Sequence, residues 1–196
     1  MGKYVTANLH GNAFEFFNLL KSIKFSPSDE LYIVGDIFDR GPDSLVIYDF
    51  IKQMPNIFFI IGNHEEHYVK LYEAIINNTE YINEYNKWIL DDGFKTLKAI
   101  NKNNKDYADE LYKYLKDAPN EVIIGNYLLA HSSNKLSNSY KNKFIKIFGH
   151  VEDYITNNGK IIHDDRAIYI NIKSEYYKKL GCLRLDDMEE FYVNLV

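Results

Sequence analysis

Short apolar runs alternate with helical patterns along the chain as far as Phe148. The runs are rich in β-branched and aromatic residues and have the length of buried strands. They lie at Tyr4–Thr6, Leu31–Val34, Ile57–Ile61, Tyr127–Ala130 and Ile145–Phe148. Apolar residues at helical spacing occupy Phe14–Ile23, Leu45–Met54 and Tyr68–Ile76. This alternation predicts an α/β domain built from βαβ units.

The pattern changes at two places, between the third and fourth of these runs and after the fifth. Residues 80–117 show helical periodicity alone, which predicts a helical insertion or cap. After Gly149, strand-like stretches separated by turn-prone residues predict a second, more antiparallel sheet. They lie at Lys160–Ile162, Ala167–Ile172, Leu180–Leu185 and Phe191–Leu195. With 46% hydrophobic residues, the chain is expected to form a single domain over residues 1–196 that includes the insertion.

Composition argues against several classes of protein. The 23 basic and 28 acidic residues give a net charge of −5, which disfavours a broad surface for nucleic acid or anionic lipid. No apolar run approaches the roughly 20 residues that span a bilayer, and the first residues lack the pattern of a secretory signal, so a cytoplasmic location without a membrane partner is expected. Cys182 is the only cysteine, which excludes an intrachain disulfide and a thiolate-rich metal site. Any metal must therefore be held by histidine and oxygen ligands.

Polar residues suited to metal binding follow all five of the early strands. They are Asn8 and His10 after the first, Asp36 and Asp39 after the second, Asn63 and His64 after the third, His131 after the fourth and His150 after the fifth. Because the carboxyl ends of parallel strands lie along one edge, we expect these side chains to converge in one crevice. Imidazole, carboxylate and amide oxygen suit Mn, Fe, Zn or Co and do not exclude Mg. A pair of such cations both acidifies a bound water and neutralises a phosphoryl oxygen.

Five short motifs enclose these polar residues, in an order and rough spacing that hold from residue 4 to about 150. They are NLHG at 8–11, GDIFDRG at 35–41, GNHE at 62–65, LAH at 129–131 and FGH at 148–150. Their forms are similar to Asp-x-His-Gly, Gly-Asp-x-x-Asp-Arg-Gly, Gly-Asn-His-Glu and two later histidine motifs. By these motifs the chain resembles the calcineurin-like metallophosphoesterases, specifically the phosphoprotein phosphatase branch with its small bacterial and bacteriophage serine/threonine phosphatases.

The resemblance implies a fold and a metal centre. The fold is a four-layer α-β-β-α sandwich with a small helical cap. The centre holds two divalent metal ions, with manganese expected first and Fe, Zn, Co or Mg as alternatives. The first metal would take Asn8, His10 and Asp36, and the second would take Asp36, Asn63, His131 and His150, with Asp36 bridging.

The resemblance also implies the roles of four residues in the reaction. His64 would be the general acid that protonates the leaving oxygen, and Asp39 would accept its other ring proton and fix the tautomer. Arg40 would hold the phosphate oxygens with its planar fork, with Asn63 and His64 beside it in the substrate site. The implied reaction is hydrolysis of a phosphate monoester by direct attack of a metal-bound hydroxide. The expected partner is a phosphoserine or phosphothreonine protein, followed by a small phosphate ester such as a dinucleoside polyphosphate.

Two departures from the family pattern leave another class of function open. Asn8 stands where the family has Asp, which removes a negative charge, keeps a carbonyl oxygen able to coordinate and should lower the affinity for the first metal. The segment between His131 and His150 is shorter than in relatives and lacks their second phosphate-binding Arg. Positive charge is offered instead by lysines, whose ammonium groups do not reproduce the planar fork of an arginine. They are Lys135, Lys141, Lys143 and Lys146. The alternative is therefore a degenerate, non-catalytic protein that binds phosphate or a partner.

Three residues near these motifs have ordinary structural interpretations. His67, one turn beyond His64, is expected to be a surface or packing residue. Trp88 is expected to be a core residue of the insertion. For Glu65, a structural role near a helix N-terminus and a catalytic role are equally open. The sequence does not indicate an oligomeric state.

Overall fold

The protein folds around two five-stranded β-sheets with helices beside them. Its structure, a computed structural model, describes residues 1–137, 143–150, 159–172 and 178–195. The strands are β1 (Lys3–Thr6), β2 (Glu30–Val34), β3 (Ile57–Ile60), β4 (Glu121–Ile124), β5 (Tyr127–Ala130), β6 (Ile145–Phe148), β7 (Ile162–Asp164), β8 (Ala167–Tyr169), β9 (Lys179–Arg184) and β10 (Glu190–Asn194). The helices are α1 (Ala13–Ser22), α2 (Ser44–Ile51), α3 (Asn63–Ile76), α4 (Ile82–Leu90), α5 (Phe94–Ile100) and α6 (Lys105–Asp117), and a 3-10 turn lies at Ser133–Lys135.

Each sheet combines parallel and antiparallel strands. The first sheet has the order β10-β9-β1-β2-β3, in which β1, β2 and β3 are parallel and β9 is antiparallel to both of its neighbours. The second has the order β4-β5-β6-β8-β7, in which β5, β6 and β8 are parallel and the two edge strands are antiparallel. This architecture confirms the predicted α/β sandwich.

The division of strands between the sheets differs from the prediction. The sequence pattern predicts one parallel sheet from the five early runs and a more antiparallel sheet after Gly149. In the structure, β5 and β6 belong to the second sheet, the unpredicted β4 forms its edge, and β9 and β10 return to the first sheet. The pairing follows long-range contacts, since Leu183 of β9 lies opposite Val5 of β1 and both are buried in the same core. The alternation of apolar and polar residues along a strand shows which face is buried, but it does not show which other strand pairs with it.

Alternate residues of β1 enter two different hydrophobic cores. Tyr4 packs in a core that includes Phe16 of α1 and Tyr48 of α2, on the outer face of the first sheet. Val5 lies in a second core with Leu129 of β5, between the two sheets. Successive side chains of a strand point to opposite faces, so one strand serves both cores. This packing places the ends of strands from both sheets close together.

Three helices, α4, α5 and α6, form the predicted helical insertion at residues 80–117. α6 packs against α3, where the Tyr68 hydroxyl donates to the carbonyl of Ala108 at 2.9 Å. α4 also packs against α3, and its Trp88 is completely buried. The insertion is thus packed onto the helix that follows β3. None of the helices in the described ranges combines the length and apolar character that crossing a bilayer requires.

Candidate metal centre

The loops that follow β1, β2 and β3 in the first sheet, and β5 and β6 in the second, meet at one place. The backbone N–H of Asn8 donates to the carbonyl of Gly35 at 3.1 Å, which joins the loops after β1 and β2. Nδ1 of His131 lies 2.8 Å from the carbonyl oxygen of Val34, which joins the second sheet to the first. The N–H of His150 donates to the carbonyl of His131 at 2.6 Å. The predicted convergence therefore occurs across two sheets instead of along one.

Backbone strain marks these loops. Positive φ angles occur at Asn8 (56°), His10 (44°), Asp36 (58°), Asp39 (70°) and Arg40 (60°). This left-handed region is uncommon for residues that carry a side chain, and residues held there cluster at functional sites. The surrounding structure therefore holds the loops in conformations that their local sequence does not favour.

Asp36 lies at the centre of the cluster. Its Oδ2 is 3.2 Å from Nε2 of His131 and 3.9 and 4.0 Å from the Nε2 atoms of His10 and His64. Two groups of potential metal ligands share this carboxylate, His10–Asp36–His64 and Asp36–His131–His150, and the ligand atoms of each group lie within 4.8 Å of one another. Burial by itself would raise the pKa of Asp36, but the surrounding imidazoles hold it well below its usual range. An ionised carboxylate shared by two groups is what a bridging ligand requires.

His10 and His131 are oriented by backbone carbonyls. Nδ1 of His10 lies 2.9 Å from the carbonyl oxygen of Phe38, and His131 makes the corresponding bond to Val34. Each Nδ1–H donates to its carbonyl, so each Nε2 is left facing Asp36. Burial, opposed by Asp36, lowers the pKa of His10 to about 3, which favours the neutral imidazole that binds metals. Burial also acts to lower the pKa of His131, but the Asp36 carboxylate raises it on balance.

Two amide oxygens complete the donor set. Oδ1 of Asn63 lies 2.9 Å from Nε2 of His131. The amide nitrogen of Asn8 donates to the carbonyl of Gly149 at 2.8 Å, and its Oδ1 is buried with no hydrogen-bond partner among the described residues. A buried oxygen without a partner is uncommon, and a cation would satisfy it. Imidazole, carboxylate and amide oxygens together suit divalent metals, so the residue types present fit such ions. The first group contains His64, the predicted acid, beside His10 and Asp36, and the role of each ligand stays a prediction.

His64 is held differently from the other histidines. Its Nδ1 lies 2.9 Å from Oδ2 of the completely buried Asp39. Its Nε2 lies 3.8 Å from Oδ2 of Asp91 and 4.0 Å from Oδ2 of Asp36. Burial opposes protonation, but the hydrogen bond to Asp39 and the charges of Asp36 and Asp91 raise the pKa of His64 to about 9. A protonated imidazole backed by a carboxylate has the arrangement that the predicted general acid needs.

Glu65 has a structural role that the sequence left open. Its completely buried carboxylate accepts the backbone N–H groups of Asp36 at 3.0 Å, Phe38 at 2.9 Å and Gly62 at 3.0 Å. Burial and the Asp36 charge raise the pKa of Glu65, against the effect of the Phe38 N–H. The carboxylate thus ties the loop after β2 to the start of α3. Its place three residues after Gly62, as in a capping box, is the sequence signal for this role.

The helical insertion supplies contacts that the sequence analysis did not predict. The N–H of Asp39 donates to the hydroxyl of Thr96 at 3.0 Å, and the indole N–H of Trp88 donates to Oδ2 of Asp39 at 2.7 Å. His67, expected to be a packing or surface residue, lies with Nε2 3.1 Å from Oδ2 of Asp91. That bond is the main cause of the lowered pKa of Asp91. No local motif marks these residues, because their partners are distant along the chain.

The cationic side chains near the centre are arranged unevenly. The side chain of Arg40 is half-buried. Its backbone N–H donates to the carbonyl of Asp92 at 3.4 Å, and the ammonium of Lys95 donates to its backbone carbonyl at 2.6 Å. Lys135 pairs with Glu66 and is therefore already engaged. Lys141 lies outside the described residues. Arg40 remains the residue predicted to hold phosphate.

Comparison of sequences places this geometry in a family. The family model described as calcineurin-like phosphoesterase matches residues 4–171. A symmetrical bis(5'-nucleosyl)-tetraphosphatase from Erwinia tasmaniensis is 35% identical over 80 residues, which cover 40% of this chain and 29% of that protein. The corresponding protein from Pectobacterium atrosepticum is 34% identical over 80 residues and is covered to 28%. The match thus spans less than a third of the length of these curated relatives.

Solved structures show the same fold at low sequence identity. A candidate diadenosine tetraphosphatase superposes with a TM-score of 0.68 and 16% identity, over 100% of this chain and 94% of that chain. A protein serine/threonine phosphatase from Saccharomyces cerevisiae superposes with a TM-score of 0.61 and 14% identity, over 100% and 79% of the two chains. At these identities the likeness concerns the fold alone. From its matching family model, its two-sheet fold and its motifs, the chain belongs to the calcineurin-like phosphoesterase family.

Proposed function

We propose that the protein is a metal-dependent hydrolase of phosphate esters. The observation that carries the proposal is the position of Asp36, a buried carboxylate shared by two groups of potential metal ligands, with the His64–Asp39 pair beside it. When bound there, two divalent cations would acidify a water molecule and neutralise charge on phosphoryl oxygens. The family match supports this assignment.

The residues of the chain divide the remaining tasks. Arg40, held through its backbone by the α4–α5 turn, binds phosphoryl oxygens with its planar guanidinium. His64 gives the proton on Nε2 to the leaving oxygen. Asp39 holds the proton on Nδ1 of the same ring, which sets the orientation of the imidazole and stabilises its charged form.

A dinucleoside polyphosphate is the first substrate class that we propose. The curated relatives described above are named as symmetrical bis(5'-nucleosyl)-tetraphosphatases, and one well-superposed structure is a candidate diadenosine tetraphosphatase. The corresponding reaction of this chain would split a dinucleoside tetraphosphate into two equal halves. These names support the alternative substrate of the sequence analysis more directly than its first choice, a phosphoprotein.

A phosphomonoester with a basic leaving group, such as phosphothreonine, is the second candidate. It is favoured by the His64–Asp39 pair, because an alkoxide needs a proton to depart whereas a phosphate leaving group is already weakly basic. Manganese as the preferred metal, a single domain over residues 1–196, a cytoplasmic location and the absence of nucleic-acid and membrane partners stay predictions from the sequence.

The assay that tests the proposal compares three substrates. Purified protein is incubated with Mn²⁺ or with EDTA and supplied with an aryl phosphate, a phosphothreonine peptide or diadenosine tetraphosphate. Metal-dependent release of phosphate or of adenosine diphosphate supports a hydrolase, and the ratio of kcat/KM values ranks the two substrate classes. No turnover of any substrate, with bound metal verified, would favour the non-catalytic alternative suggested by Asn8 and the missing Arg.

His64→Asn tests the acid directly. The variant should reduce the rate on the phosphothreonine peptide by about 100-fold and the rate on an activated aryl phosphate much less, because only the peptide needs an acid. His163→Asn is the control, since His163 is an exposed histidine paired with Glu190. Equal losses on both substrates in His64→Asn would contradict the role of acid.

A further inference from the structure

Trp88 of the helical insertion shares an acceptor oxygen with His64. Its indole N–H lies 2.7 Å from Oδ2 of Asp39, and Nδ1 of His64 lies 2.9 Å from the same oxygen. Trp88 and Asp39 are both completely buried. The insertion therefore reaches the carboxylate that orients the proposed acid.

The hydrogen bonds of Asp39 explain why this contact matters. Its Oδ1 is buried without a hydrogen-bond partner among the described residues, so the carboxylate is held through Oδ2. A buried carboxylate needs donors to compensate for the water it has lost. An indole N–H donates and never accepts a hydrogen bond, so it fixes the orientation of the carboxylate oxygen that it meets. Loss of this donor would leave Asp39 free to turn away from His64.

The turn between α4 and α5 is shaped around the indole. A Cβ atom at Gly93 would lie 2.3 Å from Cδ1 and 2.4 Å from Nε1 of Trp88. Gly93 has a φ of −72°, which any residue adopts, so the requirement for glycine comes from the space that the indole occupies. The same turn and the helix after it hold the backbone of the Asp39 loop, through the Thr96 hydroxyl and the Asp92 carbonyl.

We infer that Trp88 is a positioning residue, which holds Asp39 in the orientation that sets the ring of His64. The inference rests on the proposed function, since it assigns a partner to the same acid. It also gives the helical insertion a purpose, because this segment becomes part of the support of the proton donor.

The test removes the indole N–H and keeps the ring packed. Trp88→Phe should lower kcat on the phosphothreonine peptide about tenfold and change the rate on the activated aryl phosphate less than about twofold. Tyr68→Phe is the matched control, since its hydroxyl bonds the carbonyl of Ala108 and its ring centre lies 5.9 Å from that of Trp88. The control loses one hydrogen bond of the same aromatic cluster and should affect both substrates equally.

A second measurement does not depend on turnover. In the metal-free protein, NMR of the His64 ring should show a hydrogen-bonded Nδ1–H resonance that shifts and broadens in Trp88→Phe and not in Tyr68→Phe. Gly93→Ala keeps Trp88 but displaces its indole, so it should shift and broaden the same His64 resonance. This variant replaces Trp88→Phe in the test if Trp88→Phe does not fold.

The outcomes separate the two proposals. An unchanged His64 resonance together with an unchanged ratio of the two rates in Trp88→Phe would overturn the positioning role. If the wild-type protein hydrolyses neither substrate, the proposed function fails, and the resonance alone decides whether Trp88 positions Asp39 and His64.

Discussion

The side-chain amide of Asn8 donates a hydrogen bond to the carbonyl of Gly149, 2.8 Å away, and so joins the loop after β1 to the segment that carries His150. A carboxylate at this position could not donate and would face the carbonyl oxygen with its own charge. The sequence shows Asn8 only as a ligand that has lost a charge. The structure adds that its amide bridges the two sheets at the metal centre.

Asn8→Asp should therefore have opposite effects on the metal-free and metal-loaded protein. Loss of the bond to Gly149 should destabilise the metal-free fold by about 1–3 kcal/mol, while the added charge should tighten binding of Mn²⁺. Calorimetric unfolding in EDTA and titration with Mn²⁺ measure the two effects separately.

Asn56→Asp is the control for Asn8→Asp. The amide of Asn56 donates to the carbonyls of Ser26 and Asp29 at 3.1 and 2.8 Å, among residues outside the predicted metal ligands. It should lose stability without any gain in metal affinity. A gain of affinity in the control, or none in Asn8→Asp, would contradict the proposed place of Asn8 in the first metal group.

Glu65→Gln should destabilise the protein. The three backbone N–H groups that meet the Glu65 carboxylate would face an amide with one acceptor oxygen and an unwanted donor. We expect a loss of about 1–3 kcal/mol in the free energy of unfolding, measured by urea denaturation. Glu66→Gln, which removes a pairing with Lys135, should cost about 1 kcal/mol or less. Similar losses in both variants would count against the structural role of Glu65.

Arg40→Lys should impair substrate binding and turnover, although it keeps the charge. An ammonium does not reproduce the planar fork that binds two phosphoryl oxygens, so kcat/KM should fall about 100-fold and inhibition by inorganic phosphate should weaken. Arg166→Lys, in the turn between β7 and β8, should leave both quantities unchanged. Wild-type phosphate inhibition in Arg40→Lys would show that another group binds the phosphate.

Asp29 should contribute to stability in a pH-dependent way. Its carboxylate accepts the N–H of Gly2 at 2.6 Å and the N–H and hydroxyl of Ser26 at 3.0 and 2.7 Å, and these bonds hold its pKa below the ordinary value of 3.8. Because the folded-state pKa is the lower one, the stabilisation is complete above the unfolded pKa and disappears as the pH falls through the folded pKa. The difference in free energy of unfolding between wild type and Asp29→Asn should be constant above about pH 5 and shrink below about pH 4. A difference that does not shrink as the pH falls below about 4 would contradict this linkage.

Much of the fold was predictable because the buried face of a helix or strand requires apolar residues at a regular spacing in the sequence. The runs at Leu31–Val34 and Ile57–Ile61 became adjacent parallel strands, and the helical pattern of residues 80–117 became three helices. The pairing of β9 with β1 was not predictable, because the residues that face each other are separated by most of the chain. A period of two identifies the buried side of a strand, and many partners would satisfy it equally well.

The candidate site was predictable in its chemistry and unpredictable in its support. Polar residues that directly follow apolar strands are conspicuous in a sequence, so Asp36, His131 and the other candidate ligands could be named from it. Trp88 meets Asp39 across 49 positions, and Asn8 meets Gly149 across 141. Such bonds depend on where packing brings distant segments, which no local spacing records. The residue types therefore specify which ions and protons the protein can hold, while the packing of two sheets and an insertion specifies how those groups are oriented.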